Sequence, residues 1–169
     1  MEKTMPRMKD PDVTEFLRQP HIGVISTLRS DGMPYSVPVW SLFENDEFWI
    51  SGTTNRVWCK QLQQDARCSL CIEALSPVPG FVAVDGIAEL KDAPDYDIWP
   101  VTRRLVEKYV GAQGDTQAVE QFFANMQTEP RLLFCVKPQV WRAIDMRVYR
   151  GKKADRDYQE KHPEKPPEK

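Results

Sequence analysis

Apolar residues along this chain alternate with polar ones through most of the stretch up to Lys91, then recur with a period near 3.6 from Asp95 to Glu129, and alternate again before Met146. The first change of pattern is earlier and shorter. Asp12 is placed to cap a helix over Val13–Arg18, with Glu15 at the capping-box offset and Val13, Phe16 and Leu17 on one face; Pro20 ends it. A hairpin follows in HIGVISTLRSDGMPYSVPVW, turning at Asp31-Gly32. Its second strand, Tyr35 to Phe43, contains Pro38, which cannot donate to a ladder and so belongs at a sheet margin, at a bulge, or where a ligand replaces a neighbouring strand. Asn45-Asp46 turns the chain into a strand over Glu47 to Ser51. A helix then packs Val57, Trp58 and Leu62 and stops near Asp65.

Strands are expected over Arg67–Ala74 and Phe81–Lys91, joined by the firm loop SPVPG. The late region reads as two helices separated by GAQGD. Ile98, Val101, Leu105, Val106 and Tyr109 form the apolar face of the first, and Val119, Phe122, Phe123 and Met126 that of the second. Two strands, Arg131 to Val136 and Val140 to Met146, close the pattern around Lys137-Pro138. The sum is a mainly β, α+β architecture: an antiparallel barrel with peripheral helices. Residues 1–10 are expected to be loose, residues 11–149 to form one domain, and residues 150–169 to be a disordered charged tail.

Composition narrows the function classes. A length of 169 residues suits one core, and a net charge of −2 with 28% charged residues gives no electrostatic case for nucleic acid or an anionic membrane. A small molecule is the expected partner. No apolar run is long enough to span a bilayer and the first residues lack a signal-peptide pattern, so the expected location is cytoplasmic. Cys59, Cys68, Cys71 and Cys135 are then expected to be reduced.

The chemistry concentrates in PYSVPVWSLFENDEFWISGTTNRVWCKQL, Pro34 to Leu62. A strand ends in Ser51, Gly52, Thr53 and Thr54, and a helix carrying Arg56 and Lys60 begins. Unsatisfied N–H groups at a helix start, with hydroxyls and two cations nearby, favour an anion.

The hairpin GVISTLRSDGMPYSVPVW, the turn ISGTTNRVWCKQL and the run QQDARCSLCIEA together resemble the split-barrel flavin-binding superfamily of pyridoxamine 5′-phosphate oxidase, including its deazaflavin-dependent oxidoreductases. The resemblance runs from about Phe16 to Met146 and implies a split antiparallel β-barrel. It also implies a homodimer that binds FMN or a deazaflavin coenzyme at its two-fold interface and transfers a hydride to or from a small organic substrate. By position, Val37, Val39, Trp40 and Ser41 would line the flavin ring, Ser51, Gly52 and Thr53 the ribityl chain, and Asn55, Arg56 and Lys60 the phosphate. Trp58 stands where relatives often carry a phosphate-binding lysine, and Lys60 is turned about 200° from it on a helix. Arg56 is the expected substitute, and Trp58 could stack on a flat ring. The alternative implied by the superfamily is a non-catalytic flavin- or haem-binding dimer with a repurposed site.

Other candidates read blandly. Cys68 and Cys71, three apart in a strand, face opposite sides, so no metal site is expected. His21 and His162 cannot furnish a zinc cluster or a triad; His21 as a haem ligand is the minor alternative. Trp49 is expected in the core, Asp85 and Glu89 on an outward strand face. No catalytic acid or base is demanded, because a flavin carries hydride chemistry itself.

Overall fold

In the computed structural model, which describes residues 7–91 and 94–147, strands and helices follow the order α1 (Asp10–Arg18), β1 (Gly23–Leu28), β2 (Pro34–Val39), β3 (Leu42–Glu44), β4 (Glu47–Thr53), α2 (Val57–Gln64), β5 (Arg67–Ala74), β6 (Gly80–Lys91), α3 (Trp99–Tyr109), α4 (Thr116–Gln127) and β7 (Arg131–Asp145). The strands form one seven-stranded sheet in the order β2-β1-β5-β6-β7-β4-β3, antiparallel throughout. It curls into a split barrel. Alternate positions of β1, β4 and β5, among them Ile25, Phe48, Ile50, Leu70 and Ile72, fill the barrel core together with Val82, Val84, Phe134 and Val136.

Local chemistry explains the element ends. Asp31 accepts a hydrogen bond from the Met33 N–H at 3.0 Å while Gly32 takes φ +83°, which closes the β1–β2 hairpin. Asn45 and Asp46 both adopt positive φ, the pairing that a two-residue hairpin turn requires between β3 and β4. The Asp115 carboxylate accepts from the Ala118 N–H at 2.9 Å and caps α4. β5 begins and ends where alternation places it.

Several expectations need correction. Residues 7–10, expected to be loose, are engaged: Arg7 bridges to Ile144, and Met8 is fully buried with its N–H donating to the Ala143 carbonyl. α1 starts at Asp10 rather than after Asp12, because Pro11 fits the first turn and Asp10 and Asp12 both suit its N-terminal dipole. The strand read over Tyr35–Phe43 is broken at Trp40 and Ser41 into β2 and β3. The two closing strands are one, β7. Pro138 interrupts it with a register shift opposite Asp85 and Gly86, where a side chain on Gly86 would come within 2.5 Å of the Lys137 carbonyl oxygen. Trp49 lies on the face opposite the barrel core and stacks on Tyr96, 5.9 Å between centroids. Val57 is 49% exposed, not packed. The expected tail, residues 150–169, lies outside the described residues.

Two attachments matter for the site. On the barrel's inner side, α2 docks on β1 through a buried Thr27 hydroxyl donating to the Gln61 side-chain Oε1 at 2.6 Å. α3 is clamped to the other side by three ties. The Arg104 guanidinium grips Glu44 with two bonds of 2.8 Å, Lys108 Nζ donates to the Leu17 and Ser41 carbonyls, and the Tyr109 hydroxyl accepts from Ser41 N–H and donates to the His21 carbonyl. The α3–α4 pair has a small core of its own: Val106, Val119 and Met126, with Val110 and Phe123 against it. Among the described residues no helix is long and apolar enough to cross a membrane.

Candidate functional site

The exposed edge strand β2, the end of β4, the start of α2 and one face of α4 enclose a cleft of about 700 Å³. Pro38 lies on that edge, paired with Val24 on one side only, so its missing N–H costs the sheet nothing. Tyr35, Val37, Pro38, Val39 and Trp40 form the apolar wall. Val37 and Val39 point toward the barrel core, so their positions are fixed by packing. Trp40 is held flat against Tyr109, 4.8 Å between centroids and 2° between planes, and tilted against Phe122 at 5.3 Å. Trp40 therefore packs under α3 and lines the cleft at once.

The opposite wall is polar. It comprises Ser51, Gly52 and Thr53 at the end of β4, then Asn55 and Arg56, then Val57 and Trp58 of α2. Arg56 is the N-cap of α2 in extended conformation, and no side chain caps the helix, which leaves first-turn N–H groups at the cleft. Thr53 Oγ1 donates to Asn55 Oδ1 at 2.5 Å, stiffening the turn. The Ser51 hydroxyl is buried and has no hydrogen-bond partner, an uncommon state that a polar ligand atom in the cleft would relieve.

Gly52 is required by close approach. A β-carbon there would lie 2.4 Å from the Trp58 ring and 2.6 Å from Cys59 Sγ. The Trp58 ring is only 6% exposed and tilts against Phe134, so it is a piece of barrel core whose edge reaches the cleft, not a free platform for a flat ring. Cys59 beneath it is pushed up to about 12 by burial, against the pull of Arg56 and Arg131, and stays a neutral thiol.

Two sequence-based site residues lie elsewhere. Ser41 is buried with its backbone tied to Lys108 and Tyr109 and does not line the cleft; it lies in the break between β2 and β3, under α3. Lys60, beyond the first residues of α2, is exposed and outside the lining. All the others line the cleft together. Sequence reading missed Phe122, Met126, Glu129 and Arg131, which complete it from the α4 side. Phe122 and Met126 were legible only as a helix face, and nothing in the local pattern marks Arg131, although strand pairing sets it directly across from Thr53.

His21 lies away from the cleft, its ring 4.8 Å from Phe16 and its Nε2 buried without a partner; burial and then the Lys108 charge depress its protonation. The four cysteines are free thiols, and Cys68 and Cys71 face opposite sides of β5 as their spacing requires. Asp85 and Glu89 sit outward, paired respectively with Arg142 and with Lys91 and Lys137.

A family model described as pyridoxamine 5′-phosphate oxidase matches residues 10–145. Among solved structures, a conserved hypothetical protein from Mycobacterium tuberculosis aligns with a TM-score of 0.71 at 20% identity, over 87% of this chain and 91% of that one. An F420 reductase aligns at 0.58 and 17%, over 76% and 94%. The haem storage protein HutZ from Vibrio cholerae aligns at 0.59 and 12%, over 80% and 93%. At such identities these likenesses speak for the fold. No curated protein matches the sequence.

Proposed function

The chain belongs to the pyridoxamine 5′-phosphate oxidase family, and from that premise we propose that it is an oxidoreductase holding FMN, or alternatively a deazaflavin coenzyme, in the cleft between β2 and the β4–α2 turn. The supporting observation is the cleft's division of labour. One wall offers Val37, Val39 and Trp40 to a flat apolar ring, while the other offers Ser51, Thr53, Asn55 and Arg56 to a polyol chain and an anion, with the Ser51 hydroxyl unpartnered. The residues present fit such a cofactor. When bound, it would supply hydride transfer to or from a small organic substrate; the protein positions and shields it. Arg56 takes the part of the lysine replaced by Trp58.

The cleft is open on the β2 edge, and we infer that a second copy covers it in a homodimer. Val24 on β1 and Val140 on β7, 42% and 49% exposed, lie on the outward face of the sheet and give that face apolar area to bury.

Titration of the purified protein with FMN and with the deazaflavin coenzyme, followed by fluorescence and melting temperature, tests the reading. Selective binding followed by oxidation of the reduced cofactor by candidate acceptors supports an enzyme. Tight binding without turnover over a broad acceptor screen would move the protein to the non-catalytic class, and binding of neither cofactor would overturn the reading.

A further inference from the structure

Arg131 opens β7 and pairs directly with Thr53 of β4, so the two side chains share one face of the sheet, the face that also carries Ser51. Its side chain is only 12% exposed, yet it lines the same cleft as Arg56. Its Nε–H donates to the Met126 carbonyl in the last turn of α4 at 3.2 Å, which fixes the guanidinium plane. One NH2 group donates to Glu129 at 2.8 Å, and Glu129 is half exposed and also lines the cleft. A guanidinium has N–H donors beyond these bonds.

Resting on the cofactor reading above, we propose that Arg131 is a second anion-holding residue, which with Arg56 grips the cofactor's phosphate, and that Glu129 is an internal counter-ion lying against Arg131 until the phosphate takes its place. The placement is what a desolvated cation needs. Burial, and also the Arg56 charge, work against the charged guanidinium, while Glu129 supports it. A phosphate between the two arginines would neutralise both, in a geometry that suits planar donors. Glu129 stands on the rim, so it can swing into solvent when displaced. The same carboxylate would repel any ligand whose anionic group fails to reach Arg131, which makes it a specificity element as well as a placeholder.

The test compares each cofactor with its phosphate-free counterpart: FMN against riboflavin, and the deazaflavin coenzyme against its dephosphorylated core. Affinities are read by fluorescence titration of wild type, Arg131→Gln and Glu129→Gln. Arg131→Gln is expected to cut the preference for the phosphorylated ligand by roughly ten- to a hundredfold. Glu129→Gln, at an exposed site that cannot endanger the fold, is expected to raise it by about threefold. A merely structural Arg131 would weaken both members of a pair alike and leave Glu129→Gln without effect, and that result overturns the inference while the cofactor reading stands. Wild type binding neither member of either pair overturns both.

Discussion

Besides its β2 wall, the cleft has the polar β4–α2 wall and a side formed by α4 of the α3–α4 pair, and these two are built in different ways. The β4–α2 wall is cut into the barrel core: Gly52 lets Trp58 and Cys59 press against the strand, and Trp58 continues into Phe134. The α3–α4 wall stands on its own small core and leans on the barrel through individual side chains, with Phe122 left 41% exposed. The first wall therefore shares the stability of the whole domain, and the second has a local stability that can differ from it. Precise positioning of a polar ligand end belongs on the first; adaptation to different ring shapes or substrates belongs on the second.

That contrast can be broken from either side. Trp58→Ala should remove a core ring and cost about 3–5 kcal/mol, seen as a lowered global melting temperature in which every probe moves together. Met126→Ala should cost about 2 kcal/mol, the low end for a buried methionine because its cluster is small and can collapse. Hydrogen exchange should then show α3 and α4 losing protection while β5 and β6 keep theirs; equal losses throughout would mean that the helical pair is no separate unit.

Lys108 sharpens the comparison through pH. Burial lowers it from its ordinary 10.5 to about 8, so between those values the folded chain holds fewer protons than the unfolded one and the Lys108 contribution to stability climbs with pH. Cys59, Cys68 and Cys135, raised by burial from 9.0 to about 12, act oppositely, since the folded chain keeps thiol protons that the unfolded chain loses. Subtracting Lys108→Met from wild type cancels the cysteines. The difference should shift in favour of wild type by on the order of 2 kcal/mol from pH 7.5 to 10, measured by urea unfolding, and no shift would show the ammonium to be well solvated. The smallest stability effect is expected from Phe122→Ala, about 1 kcal/mol because the ring is 41% exposed and packs at the cleft margin against Trp40, while flavin binding weakens measurably. Unchanged flavin affinity would remove α4 from the cleft's working surface.

Legibility in the sequence followed the same division. β5 could be placed to the residue because alternation between Arg67 and Ala74 is regular and both neighbours are strands. The polar wall was legible because SGTTNR is contiguous and its chemistry is local. β7 was not, since Pro138 reads as a stop, and only pairing with Gly86 shows that the strand runs on through it with a register shift at Gln139. Arg131 and Glu129 escaped notice for a related reason. Their relation to Thr53 and Arg56 exists only through strand pairing between distant segments, and no short pattern encodes that. Ser41 was misplaced because β2 ends at Val39, so the strand pattern read through Trp40 does not extend to it.

The placement of β7 also sets an order of events. In the sheet it is the sole link between the β6 side and the β3–β4 hairpin, so the hairpin made early in synthesis has no sheet partner until residues 131–136 emerge. Closing so long a loop is entropically costly and slow. The end of β4, with Ser51 and Thr53, therefore joins the sheet late, although α2 docks on β1 through Gln61 and Thr27 without waiting for β7. Arg131 arrives with that step. Pairing of β7 with β4 thus sets Arg131 across from Thr53 as the sheet closes, and a ligand held by both strands would act on that seam.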